Sequence, residues 1–316
     1  MKPKDDSSTR PDVSVVIPAL DAERSLQRTL AAIDRQSFDG EIEVLVVDDG
    51  SSDATAELAA AHGVRVLRRK DRGGAGPARN EGAAAARADV LAFTDSDCEP
   101  SPAWLSASCS ALCNADIVLG PVAPVRPTGP LERSVWIGAQ SGLFEAANLV
   151  VRREIFERTG GFPAGLEGLD GAPFGEDVLF GWTAVRGGAR VVFAPDALVH
   201  HEVQSRGARA FLADRRRLAL FPALTKQVPE LRTHFLHHRW FLNRRSARFD
   251  LALTGLLATL LARRPWPLIA LVPYLGLVRH DVRTGGRRAA AVRVVADCAT
   301  ALALARGSIA ARTVIL

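Results

Sequence analysis

The 316-residue sequence is 47% hydrophobic and 24% charged, the make-up of an ordinary globular protein. Its length suits one large α/β domain with an appendage, or two domains, with a sizeable core. The net charge of +5 is uneven: acidic residues cluster before about Asp214, while arginine dominates from Arg206 onward, and the tail is apolar between its arginines. That pattern carries no RNA-binding signature. It excludes a nucleic-acid binder and points to an anionic membrane surface.

Met1–Arg10 is polar and lacks the apolar stretch of an export signal, so residues 1–12 read as a disordered leader. Val13–Ile17, ending at Pro18, reads as a buried strand, and Ala22–Gln36 has helical spacing through Leu26, Leu30 and Ile33. Ile42–Val47 is a second apolar strand. It runs into Asp48, Asp49 and Gly50, after which Ser52 or Asp53 caps a helix over Ala54–His62. Then follow a strand at Val64–Leu67, a flexible loop at Gly73–Gly76, an alanine-rich helix over Pro77–Arg87 and a strand at Val90–Thr94. Asp95, Ser96 and Asp97 come next, then a helix over Pro102–Cys113 and a strand at Ile117–Leu119.

This order predicts an α/β fold with a mostly parallel sheet flanked by helices, in which ligands bind beyond the carboxyl ends of the strands. Both acidic clusters fall at such ends. Beyond them, Pro121–Pro130 reads as a crossing loop, Ala147–Val151 as a strand, Arg153–Arg158 as a short helix and Gly160–Pro173 as a glycine-rich lid. Glu176–Arg186 reads as a helix, Val191–Phe193 as a strand, and everything from Ala208 as helical.

The expected domains are a catalytic unit over 13–205, with a nucleotide-binding half (13–120) and an acceptor half (121–205), and a helical extension over 206–316. Leu251–Ala262 and Trp266–Val278 are apolar but shorter than a spanning helix needs, and Arg263, Arg264, Pro265 and Pro267 divide them. They suit interfacial helices on the cytoplasmic face of a membrane, or a hairpin buried on the catalytic unit or in a homodimer. The four cysteines, Cys98, Cys109, Cys113 and Cys298, form no CxxC pair and read as reduced thiols.

Four acidic or histidine clusters carry chemistry. Asp48 and Asp49 are adjacent carboxylates that repel each other and add nothing to a turn, so Asp49 or Asp48 is expected to bind a base or ribose. Asp95-Ser96-Asp97 after a buried strand offers hard oxygen ligands for Mn²⁺ or Mg²⁺, with one carboxylate on the metal and the other on the ribose or a water. In Gly175-Glu176-Asp177 an acid near a helix start suits a general base, although the same position also complements the helix dipole. His200-His201 suits a metal or a phosphate, and strand alternation leaves open which ring faces inward. Arg79, opening a helix after Gly74-Ala75-Gly76, is placed to meet a diphosphate or the acidic rim.

The stretches SVVIPALDAERSL, VLVVDDGSSDAT, GGAGPARNEGAAAARADVLAFTDSDC, AANLVVRREIFERTGGF and FGEDVLFGWTAVRGGARVVFAPDALVHH run in order from Ser14 to His201. Together they resemble the family 2 glycosyltransferases, which have the GT-A fold. The resemblance implies inverting, metal-dependent transfer from a nucleoside-diphosphate sugar, by default a UDP-sugar, to a hydroxyl acceptor such as a lipid-linked glycan precursor of the cell envelope. It implies that Pro18 and Ala19 line the nucleotide pocket with Asp21 or Glu23 nearby, that Asp49 contacts the base or ribose, and that Arg79 approaches the nucleotide.

Asp95 and Asp97 match the metal motif, Asp97 as the direct ligand, with Ser96 between them on the donor side. Asp177 matches the general base with Glu176 in support, His201 the late metal or diphosphate contact with His200 as alternative, and Asn148 and Arg152 the sugar and acceptor side. Asp21 departs from the family's asparagine. The QxxRW motif of processive polymerases is absent, since Leu236 stands three residues before Arg239-Trp240, which favours transfer of a single sugar. Two other readings share the sheet: a sugar nucleotidyltransferase, which would carry a basic glycine-rich loop where Pro18–Asp21 stands, and an inactive scaffold, which would have lost some of these acids.

Overall fold

The computed structural model describes residues 10–167, 173–205 and 207–316. Most of the leader, and the centre of the expected lid at 168–172, lie outside them. The elements are β1 (Val13–Ala19), α1 (Leu26–Asp34), β2 (Ile42–Asp48), α2 (Thr55–His62), β3 (Arg65–Arg68), α3 (Ala75–Ala85), β4 (Val90–Phe93), β5 (Cys98–Pro100), α4 (Trp104–Leu112), β6 (Ile117–Leu119) and β7 (Val122–Pro124). They continue as β8 (Leu149–Arg152), α5 (Arg153–Arg158), β9 (Leu166–Glu167), β10 (Pro173–Phe174), α6 (Glu176–Arg186), β11 (Val191–Phe193), β12 (Val199–His201), α7 (Gly207–Ala213), α8 (Phe221–Gln227), α9 (Leu231–His234), α10 (Arg244–Ala262) and α11 (Val272–Ala311).

The main sheet has the order β11-β6-β8-β4-β1-β2-β3, parallel except where β8 runs antiparallel between β4 and β6. The period of two in β1 divides the core. Val13, Val15 and Ile17 join Leu26 and Leu30 of α1 and Trp104 of α4 on one face, while Val16 joins Ala78 of α3 and Val178 of α6 on the other. Gly82 lets α3 lie this close to the sheet, because a Cβ there would stand 2.4 Å from Val16 Cγ1.

A second sheet, β5-β12-β7, was not predicted. Its strands are three residues each, too short for periodicity to register, and one of them occupies the expected loop at Pro121–Pro130. It pairs His201 with Cys98, carrying the late histidines to the end of β4. Helix α1 starts at Leu26 rather than Ala22, because Ala22–Ser25 forms a turn in which Ser25 N donates to Ala22 O.

After α9, Leu236–Leu242 forms a turn with positive φ at His238 and Arg239, so the region beyond Ala208 is not helical throughout. Helix α10, a 3-10 segment at Trp266–Leu271 and α11 form a long hairpin, and α11 breaks at Gly286 (φ 79°, ψ 170°). One end of the hairpin is pressed onto the segment between α7 and α8: a Cβ on Gly307 would stand 2.0 Å from the Ala219 carbonyl. The other end is bare, with Leu260 73%, Leu261 85%, Trp266 73% and Ile269 73% exposed.

Candidate active site

β1 lies between β2 and β4, so both acidic clusters flank the carboxyl end of one strand. Their first members bind protein. Asp48 Oδ1 accepts from Ser51 N at 2.9 Å and closes the turn. Asp49 is buried, accepts from Gly73 N (3.0 Å) and Gly74 N (2.7 Å), and is paired with Arg69. The premise that the two carboxylates add nothing to local structure is therefore wrong: facing apart, they avoid repulsion, and Asp49 ties the glycine-rich loop to β2.

Pro18 and Ala19 are buried within β1, and the Ala19 carbonyl accepts from Asp49 N at 2.8 Å, so their side chains lie beneath the rim rather than on it. Asp21 is exposed at φ 48°. It accepts from Ser52 N at 2.7 Å, and this bond, with the Ser52 hydroxyl, holds its carboxyl below the usual range. Glu23 N donates to Asp53 Oδ2 at 3.1 Å. These bonds stitch the loop after β1 to the loop after β2 and form the wall beside the rim.

At the end of β4, Asp95 Oδ1 receives Arg79 Nη2 at 2.5 Å, and the Ser96 carbonyl receives the Thr29 hydroxyl at 3.0 Å. Asp97 Oδ2 receives Gln204 Nε2 at 2.9 Å, and its Oδ1 lies 3.6 Å from His201 Nε2. Burial, and the neighbouring Asp95, push the Asp97 carboxyl up, while His201 pulls it down. His201 Nδ1 stands 2.7 Å from the Glu202 carbonyl, which requires a proton on Nδ1 and turns Nε2 toward Asp97. His201 is buried in this cluster. His200, next along β12, projects to the opposite face by strand alternation.

Ligand atoms of Asp97, Cys98 and His201 lie within 4.8 Å of one another. Burial raises the Cys98 thiol well above its ordinary value, so it remains a thiol and a poor partner for a hard cation. The donor set that fits Mg²⁺ or Mn²⁺ is an Asp97 oxygen with the His201 nitrogen, and Asp95 adjacent. Gln204 and Cys98 were missed in the sequence, because only the short β5–β12 pairing brings them to the rim.

Helix α6 starts after Gly175 (φ 77°) and opens with Glu176 and Asp177 in the wall of a 660 Å³ cleft. The Asp177 carboxyl is pushed up to about 7, first by burial, then by the charges of Glu176 and Glu145, against the pull of Arg79. A carboxylate stabilised chiefly by a helix N-terminus would move the other way, so capping does not dominate its environment. Buried Arg79 thus contacts Asp95 on the rim and carries its charge toward Asp177 in the cleft, while its own Nε has no partner.

Two expected residues are elsewhere. Asn148 is buried, donating to the Pro121 (2.9 Å) and Ala197 (2.7 Å) carbonyls and accepting from Trp104 Nε1 (2.8 Å). Its hydrogen-bonding capacity is consumed by cross-links between elements. Arg152 pairs with Val90, at the far end of β4 from the rim, and donates to the Leu112 carbonyl at 2.6 Å. Reversal of β8 relative to β4 puts its last residue on the side of the sheet away from the site.

The sheet order and the acidic rim define a GT-A-type glycosyltransferase, an enzyme of sugar transfer. The model for "Glycosyl transferase family 2" matches residues 14–166, and the chain belongs to that family. It is 30% identical over 222 residues to the glycosyltransferase AglE of Haloferax volcanii, a match covering 64% of this chain and 70% of that one. It is also 30% identical over 214 residues to the pre-mycofactocin glycosyltransferase of Mycobacterium tuberculosis, covering 60% of this chain and 43% of the relative. The mannosyltransferase PcManGT of Pyrobaculum calidifontis, solved with GDP-Man and Mn²⁺, superposes with a TM-score of 0.58 at 20% identity, covering 98% and 90% of the two chains.

Proposed function

We propose that the protein is an inverting, metal-dependent glycosyltransferase that moves one sugar from a nucleoside-diphosphate sugar, UDP-linked by default, to a hydroxyl of an acceptor. The observation that carries this reading is Arg79, joined to Asp95 on the rim and acting on Asp177, a carboxyl held near neutrality in the cleft. Asp177 takes the proton of the acceptor hydroxyl as that oxygen bonds to the anomeric carbon and the bond from that carbon to the diphosphate oxygen breaks. Glu176 keeps the pKa of Asp177 raised, so the base regains its proton affinity near neutral pH.

Asp97 and His201 would hold the divalent cation, with Asp95 beside them, and a bound cation neutralises charge on the leaving diphosphate. Asp49, through the loop at Gly73 and Gly74, shapes the base and ribose pocket. The Mn²⁺ complex of PcManGT is consistent with the metal assignment. A panel of UDP-, GDP- and dTDP-sugars, scanned by thermal shift with and without Mn²⁺, tests the donor assignment. One nucleotide class should raise Tm, and raise it further with the metal present. A well-folded protein that responds to none of them would move the balance to the scaffold reading.

The reading extends to the membrane. Among the described residues, 266–311 forms the one helix long and apolar enough to cross a bilayer, with a best-window mean hydropathy of 1.4. Leu260, Leu261, Trp266 and Ile269 are exposed instead at the bare end of the hairpin, beside exposed Arg263 and Arg264, and exposed Arg279, Arg283, Arg287 and Arg288 follow along α11. None of these arginines has an ion-pair partner among the described residues. An apolar tip with Arg263 and Arg264 in its turn, and further cations along α11, suits shallow insertion into an anionic cytoplasmic leaflet, next to a lipid-linked acceptor. The full chain should fractionate with membranes, and Leu261→Asp with Ile269→Asp should move it to the soluble fraction. Retention of the double variant on membranes would remove the hairpin tip from the account.

A further inference from the structure

Two cavities share a wall. The catalytic cleft and a second cavity of 320 Å³, enclosed by α7, α10 and α11, share Phe211, Arg215, Leu242 and Asn243 in their walls. Arg215 therefore stands between the space in front of Asp177 and the space beneath the helical extension. The other two arginines of its run are accounted for. Arg216 is exposed, and Arg217 donates to the Pro173 carbonyl at 2.7 Å and lies over the Phe174 ring.

Arg215 is part-buried, with its guanidinium 4.5 Å from the Phe211 ring centroid and its Nε shielded from solvent with no partner. Among the described residues it makes no hydrogen bond and no ion pair. The acids nearest to it in effect, Asp214 and Asp297, are engaged by other groups: Asp214 by Arg133 at 2.9 Å, and Asp297 by Arg245 at 2.8 Å and the Tyr274 hydroxyl at 2.7 Å. A desolvated cation without a counter-ion opposes folding. Its guanidinium presents a planar fork of donors suited to phosphate oxygens.

The donor's diphosphate is already assigned to the rim of Asp95, Asp97 and Arg79. We propose that Arg215 anchors a phosphate group carried by the acceptor, with the acceptor's hydroxyl end directed into the cleft toward Asp177. This rests on the reading of the cleft as the acceptor site. The body beyond the phosphate enters the second cavity, whose wall mixes apolar Phe249 and Leu304 with the charged Arg245, Asp250, Arg293 and Asp297. A lipid phosphate and a phosphate on a soluble glycan share this chemistry.

The test uses the full chain saturated with UDP and Mg²⁺, so that the donor site is filled, and titrated with inorganic phosphate by calorimetry. Loss of a charge-assisted contact predicts binding about ten-fold weaker in Arg215→Gln. Arg215→Lys should restore most of that loss, and UDP affinity should be the same in all three proteins. Because Arg215 has no hydrogen bond or ion pair among the described residues, the Gln variant should melt close to the parent. Sedimentation with phosphatidylcholine vesicles, with and without phosphatidic acid, separates the sources. Arg215-dependent retention only with phosphatidic acid supports a lipid phosphate, and Arg215-dependent binding of free phosphate alone supports a soluble one. Equal phosphate affinity in parent and Gln variant, or phosphate binding that vanishes once UDP is bound, overturns the proposal. Failure of UDP itself to bind would instead count against the donor reading, and the Arg215 comparison would still decide the phosphate site.

Discussion

Asp177→Asn is expected to lower the transfer rate by about a thousand-fold, within the range a general base contributes, while nucleotide affinity stays near the parent's. The amide keeps the shape of the carboxyl and its place at the start of α6 but cannot accept the acceptor's proton. The parent's rate should also follow the ionisation of this group. With its carboxyl pushed up to about 7, the base is protonated below that pH, so kcat should rise through neutrality and level off above it.

The stability of the fold should run the opposite way. An acid whose folded pKa lies above its unfolded value near 4 binds more protons in the native state between those limits. Stability is therefore present at low pH and lost as pH climbs from about 4 to about 7, by an amount of the order of a few kcal/mol. Asp177→Asn, free of that charge, should melt higher than the parent at pH 8 while being inactive. Glu176→Gln removes the neighbouring charge and should move the acid limb of the rate profile to lower pH. Transfer that survives in Asp177→Asn, or a profile flat through neutrality, would take the base role away from this residue.

The parallel half of the sheet was legible because β1, β2 and β4 are buried runs that stop at acidic turns. Their hydrophobic pattern and the residues that end it lie in one local window. The roles of particular polar residues were less legible. Asn148 stands in a stretch that resembles the family pattern, yet its amide is spent on Trp104, Pro121 and Ala197, partners 27 to 49 positions away. The direction of β8 decided the fate of Arg152, and a four-residue strand does not announce its direction. The adjacent acids Asp48 and Asp49 suggested a pair facing the ligand, whereas alternation along an extended segment turns one to Ser51 and the other to Gly73 and Gly74. The His200/His201 ambiguity could not be resolved without the pairing of β12 with β5, a contact between segments about a hundred residues apart. Arg215 had no local signal at all, because its interest lies in the partners it lacks.

Asp97→Ala should separate metal chemistry from nucleotide binding. If Asp97 and His201 hold the cation, the variant loses an oxygen that the remaining groups do not replace: Asp95 is engaged by Arg79, and Cys98 is a buried, protonated thiol. Neutralising a departing diphosphate contributes several kcal/mol. At about 1.4 kcal/mol per tenfold, removing it should reduce transfer by about a hundred-fold or more. The Mn²⁺-dependent part of the thermal shift with donor should disappear, and the metal-independent part should persist, because the loops around Asp49 and Asp21 are untouched. The variant should still fold, since the polar contacts of Asp97's side chain are one hydrogen bond from Gln204 and the 3.6 Å approach of His201 Nε2. His201→Ala should fall in the same direction. Cys98→Ser, by contrast, should leave the Mn²⁺ dependence intact, because a protonated thiol contributes little to a hard cation. A metal-dependent shift that persists in Asp97→Ala would place the cation on other ligands, and loss of the shift in Cys98→Ser would give the thiol the role denied it here.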